Sequence, residues 1–189
     1  MDAFSFVFSL FSIVLGLALA EVLGGFGRAL QSRRRIHIGW LSPLLGAIVA
    51  FDLTSFWAIA WDVRGQIPAR IFVLFCGLVL AGIYYLVAKL TFPDDPAEWP
   101  DFDVYYFEHR RIVIGGVVLC NILATMAQTA LGYYWWQGTW GRVNFVLFYG
   151  SFAALMLARS KRANLALLAF TLVQYPVVSF IEFMSQGGH

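Results

Sequence analysis

Residues 71–90 read IFVLFCGLVLAGIYYLVAKL, twenty positions whose only charge, Lys89, is next to last. A helix rises about 1.5 Å per residue, so this run reaches about 30 Å, the thickness of a bilayer's hydrocarbon core. It does not alternate polar with apolar residues as a membrane barrel strand would. Five further runs read the same way: Phe4–Leu23, Ile38–Trp61, Ile112–Tyr134, Val143–Ala158 and Leu165–Met184, of which Val143–Ala158 is the shortest at 16 residues. The expected fold class is therefore all-α, a polytopic transmembrane bundle of about six helices.

Composition agrees. Of 189 residues, 60% are hydrophobic and 13% charged, with a mean hydropathy of +0.74. A water-facing domain carries about 25% charged residues. The connections are too short to separate domains, so residues 1–189 read as one transmembrane domain. Basic loops stay in the cytoplasm. Ten of the 13 Lys and Arg residues fall in connections one, three and five, which places both termini outside. Trp57, Trp61, Tyr133, Tyr134, Trp135, Trp136 and Trp140 gather toward the opposite ends of the spans, as interfacial anchors do. The start of the chain carries Asp2 and no Lys or Arg, so it reads as an anchor and not as a cleavable signal peptide.

Within the spans, residues that lipid disfavours are the candidates for function. A carboxylate at mid-helix costs about 2.5–3.5 kcal/mol on insertion scales. Asp52 stands at the middle of the second span, with Asn121, Gln174, Ser12 and Ser151 near the same depth on other spans. Asn121, Thr125 and Gln128 are spaced by four and three, so they share a helix face. These seven residues form either a polar site on an ion or solute path or a set of interhelical hydrogen bonds. Gln174 is followed by Pro176, which removes a backbone donor and can kink the helix. In the first span Ser5, Ser9, Ser12, Gly16, Ala20 and Gly24 make a small-residue stripe, expected to pack a helix of this chain or of a second copy.

A second group gathers on the expected inner face. Glu21 and Arg28, seven residues apart, share a helix face, and Glu21 is expected to pair with a base. Arg33, Arg34 and Arg35 form a run suited to anionic lipid. The long connection Thr91–Arg111 is acidic and proline-rich. Its carboxylates are candidates to reach those arginines. After Pro100, Asp101 or Asp103 is placed to cap a helix running into the fourth span. Phe102, Tyr105, Tyr106 and His109 share one face, expected at headgroup level, followed by Arg110 and Arg111.

None of the three histidines, His37, His109 and His189, falls in a span, which disfavours a membrane cytochrome. No zinc-protease helix, nucleophile elbow, phosphate loop or dinucleotide fingerprint occurs. Cys76 and Cys120 sit in apolar runs without ligand spacing. No catalytic residue, metal, cofactor or nucleic-acid contact is expected.

The stretches Arg33-Arg34-Arg35-Ile36-His37-Ile38-Gly39-Trp40, Phe56-Trp57, Phe92-Pro93-Asp94 and Tyr105-Tyr106-Phe107-Glu108-His109-Arg110-Arg111 resemble a bacterial family of small multi-pass inner-membrane proteins known only as hypothetical. The resemblance spans roughly the first two thirds of the chain and implies location without activity. Three functional readings follow. The first is a non-enzymatic structural or accessory protein, homo-oligomeric or part of a larger membrane complex, with lipids as its other partners. The second is a small channel or transporter around Asp52. The third is a lipid-acting enzyme at the inner interface using Glu21, His109 and nearby arginines.

Overall fold

The computed structural model describes residues 3–68 and 70–186. Asp2 and His189 lie outside them. Six helices follow in order: α1 (Ala3–Ser32), α2 (Leu41–Asp62), α3 (Ile71–Lys89), α4 (Phe102–Ala130), α5 (Gly138–Leu157) and α6 (Lys161–Gln186). All six are long and apolar enough to cross a membrane. Among the described residues there is no strand, only an isolated backbone bridge between His37 and Asp101. The chain is an all-α bundle of a multi-pass membrane protein.

Helix packing runs α1–α3–α4–α5–α6–α2 and back to α1, while α2 also touches α3 and α4. Because α2 meets four neighbours, it is the one on which a buried polar residue can tie most of the bundle together. Its half nearer the arginine-rich connection buries Leu41, Leu45, Ile48 and Val49. These join Leu15, Val22, Tyr84, Val113 and Phe152 in one apolar core. Outward faces remain apolar, with Ile13, Phe72, Val146 and Phe183 exposed, as a lipid-solvated surface requires.

Helix ends depart from the hydropathic limits where capping chemistry overrides them. α4 begins ten residues before its apolar run, at Phe102. There Asp101 accepts the Asp103 amide at 2.6 Å as N-cap, and Asp103 adds a second carboxylate to the first turn, favoured by the helix dipole. Phe102, Tyr105 and Tyr106 are buried within the protein. α4 stops at Ala130 because Gly132 adopts φ +80°. The amides of Tyr133 and Gly132 bond back to Gln128 O and Thr129 O, a Schellman closure. α5 extends five residues earlier than its apolar run, to Gly138.

The small-residue stripe does not pack a helix of this chain. Ser5, Ser9, Ala20 and Gly24 are exposed, Ser12 and Gly16 half-buried, and a Cβ at Gly16 would meet nothing within 4 Å. The buried face of α1 is instead Phe11, Leu15, Ala18 and Val22, and against α3 the Phe11 ring fills the space a Cβ on Gly77 would need. The difference is one of helix phase: large and small residues interleave on α1, and the large ones carry more apolar area to bury.

The long connection is fastened, not loose. Phe92 folds between α1 and α2, where a Cβ on Gly25 or Gly46 would overlap its ring. Tyr105 Oη donates to Leu90 O at 3.1 Å and Phe92 O at 3.2 Å.

Candidate functional site

Asp52 lies at mid-α2 and is 3% exposed. Tyr84 Oη of α3 donates to its Oδ2 at 2.8 Å, and Tyr175 Oη of α6 donates to its Oδ1 at 2.9 Å. Asn121 Nδ2 of α4 donates to both oxygens, at 3.0 and 2.9 Å. One carboxylate thus joins four helices, and these four contacts use the lone-pair positions a carboxylate offers. The sequence puts Asp52 and Asn121 at one depth. The tyrosine partners escaped the sequence analysis, although an aromatic hydroxyl inside a span is the available signal.

Beyond Asp52 the bundle opens. A cavity of about 310 Å³ extends from Asp52 to Asp62 at the far end of α2. Ten residues separate them, so it is about 15 Å deep along the helix. Each wall is one helix face: Asp52, Ser55, Ile59 and Asp62 of α2; Asn121, Ala124, Thr125 and Gln128 of α4; Asn144 and Phe148 of α5; Gln174, Tyr175, Val178 and Ser179 of α6. The spacings of three and four are those of single helix faces. Asp62 and Tyr133 are exposed and form the mouth, and the Gly132 closure of α4 puts Tyr133 there. Trp135 closes one side, its Nε1 donating to Thr125 Oγ1 at 3.4 Å.

Two amides in this wall keep polar atoms that the fold does not pair. Gln128, 3% exposed, donates to Ala124 O at 3.2 Å, while its Oε1 has no partner. Gln174 has a partner for neither Nε2 nor Oε1. A buried polar atom left unpaired costs about 1–3 kcal/mol, so such atoms call for a ligand or ordered water. Pro176 stands beside Gln174 inside α6.

Ser12 and Ser151 stay apart from this group, returning their hydroxyls to their own helices, to Ser9 O at 3.0 Å and Phe148 O at 2.8 Å.

The residues of the expected inner face divide into separate groups. Glu21 pairs with Arg28 at 2.8 Å and Lys89 at 3.5 Å. His109 stacks on Tyr105 with ring centroids 4.1 Å apart. Arg110, 4% exposed, donates to Leu155 O at 3.0 Å, near the C-terminus of α5, and to Asn164 Oδ1 at 2.6 Å. A cation there is favoured by the helix dipole. Tyr106 Oη donates to the same Asn164 oxygen at 2.8 Å, so this network fastens α4, α5 and α6. Arg33, Arg34, Arg35 and Arg111 are exposed. The carboxylates of the long connection go elsewhere: Asp94 to Lys89, Asp101 to His37, and Asp103 to Lys161. His37, Asp101 and Asp103 bring ligand atoms within 4.8 Å of one another. The Lys161 ammonium and the α4 N-terminus already supply positive charge there, and they disfavour a cation.

No protein-family model, curated protein or solved structure matches the chain.

Proposed function

We propose that the protein binds a small solute in the cavity between α2, α4, α5 and α6, as a channel or transporter does. The observation carrying this reading is the set of unpaired amide atoms on Gln128 and Gln174 in the wall of an open polar cavity. Buried amide atoms of this kind call for a polar partner, and a solute in the cavity would supply one. The proposed location is a bacterial inner membrane, supported by the resemblance noted above. The loop arginines support a cavity that opens outward, because the arginine-rich end is the cytoplasmic one.

The test is side-specific labelling. In a background with Cys76 and Cys120 replaced by Ala, Ser55→Cys sits one turn above Asp52, and Ser12→Cys lies outside the cavity. A membrane-impermeant thiol reagent added outside intact cells should modify the first and spare the second. Absence of labelling at Ser55→Cys from either side removes the reading.

A second reading, a structural or accessory subunit, is favoured by the small-residue face of α1. That face is turned away from this chain's helices and is suited to close approach by a second helix. A stable oligomer broken by Gly16→Leu would support it. A monomer in mild detergent would not.

A further inference from the structure

We infer that the cavity's occupant is an organic ammonium ion, attracted by Asp62 at the mouth and seated against Trp135, Phe148 and Tyr175 above Asp52. This rests on the reading of the cavity as a solute site. The first argument is charge. Among the described residues lining the cavity, none is Lys, Arg or His, while an aspartate stands at each end. Asp62 has no ion pair among the described residues. A cleft lined by one sign of charge with low-dielectric walls concentrates the opposite ion and repels anions.

The second argument separates an organic cation from a bare metal ion. A dehydrated metal ion needs several oxygen ligands directed at it. Both oxygens of Asp52 are already engaged by Tyr84, Asn121 and Tyr175, so it cannot ligate without losing a donor. The exposed carboxylate of Asp62 at the mouth remains open to a bulky cation that demands no lone pair. Aromatic rings supply what such a cation does demand: a ring face attracts ammonium through its quadrupole. Phe148 and Tyr175 are in edge contact at 6.1 Å, and Trp135 stands across the cavity mouth. Gln128 Oε1 is then an acceptor for an ammonium N–H or a substrate hydroxyl.

The probes are choline, its neutral carbon isostere dimethylbutanol, and sodium chloride, on the full chain in detergent at constant ionic strength. Choline should raise the thermal midpoint and quench tryptophan fluorescence saturably, whereas dimethylbutanol and sodium should not. Trp135→Leu should weaken choline binding about tenfold. Asp62→Asn, an exposed change that leaves the fold alone, should weaken it several-fold and flatten its salt dependence. Equal response to dimethylbutanol overturns the charge argument, and a response to sodium alone overturns the organic one. Silence toward choline with Ser55→Cys still labelled defeats this inference and leaves the solute reading standing. Silence with no labelling defeats both.

Discussion

Asp52 shows how a single costly residue is made tolerable. Its carboxylate is taken from water, and three side chains on three other helices return the hydrogen bonds it loses. Tyr84→Phe and Tyr175→Phe each remove one donor. A buried hydrogen bond contributes about 0.5–1.5 kcal/mol, and 1 kcal/mol moves the midpoint of a chain this size by about 2–4 °C. Each change is therefore expected to lower the midpoint by a few degrees, read by tryptophan fluorescence in detergent. Asp52→Ala leaves three donors without their acceptor and should cost more than either. A midpoint unchanged in Asp52→Ala would mean that the four-helix junction stabilises nothing. Arg110 and Asn164 follow the same logic at the other end. Because they share a network, a double-mutant cycle of Arg110→Ala and Asn164→Ala should show a coupling of about 0.5–3 kcal/mol. Simple additivity would deny that the two act together.

Between helices, fit is decided by which face is large. Gly77 of α3 lies where the Phe11 ring packs, so Gly77→Ala forces the α1–α3 seam apart. Overpacking of this kind costs about 1–3 kcal/mol. Gly16→Ala has open space around its new methyl and should be neutral or stabilising. Comparable losses at both positions in a monomeric preparation would contradict the seam described above. This contrast marks a limit of sequence reading. The helices were legible because a span of about 20 apolar residues has few alternatives in a bilayer. Helix phase was not, since both faces of α1 are apolar and lipid solvates either one. The start of α4 was legible to within two residues, as Asp101 or Asp103, and the structure uses Asp101. Asp52 and Asn121 share a depth that the sequence gives directly, whereas Tyr84 and Tyr175 as their partners required helix rotations that it does not encode visibly. The pairing of Asp103 on α4 with Lys161 on α6 was likewise out of reach.

At the scale of the molecule the two ends of the bundle are unlike. Toward the arginine-rich end α2 is packed shut by Leu41, Leu45, Ile48 and Val49, with Phe92 and Phe102 fully buried beside them. Toward the tryptophan-rich end the same helix turns Ser55, Ile59 and Asp62 to the cavity. A solute entering there stops at Asp52, so passage would require the packed half to part, as alternating access demands. Which compartment the solute comes from then depends on orientation alone. Ten of 13 basic residues lie in the connections at the packed end or in the helix ends that flank them. That bias should hold this end in the cytoplasm against a membrane potential that acts on every charge left outside. A periplasm-dependent reporter fused in the connection between α2 and α3 should be active, and one fused in the connection between α1 and α2 inactive. Replacing Arg33, Arg34 and Arg35 together by Asn removes three of the ten determinants and should yield a mixed population. The reverse pattern in the unaltered chain would turn the cavity toward the cytoplasm. Asp62 would then face the cations inside the cell, and the proposed outward opening of the cavity would have to be inverted.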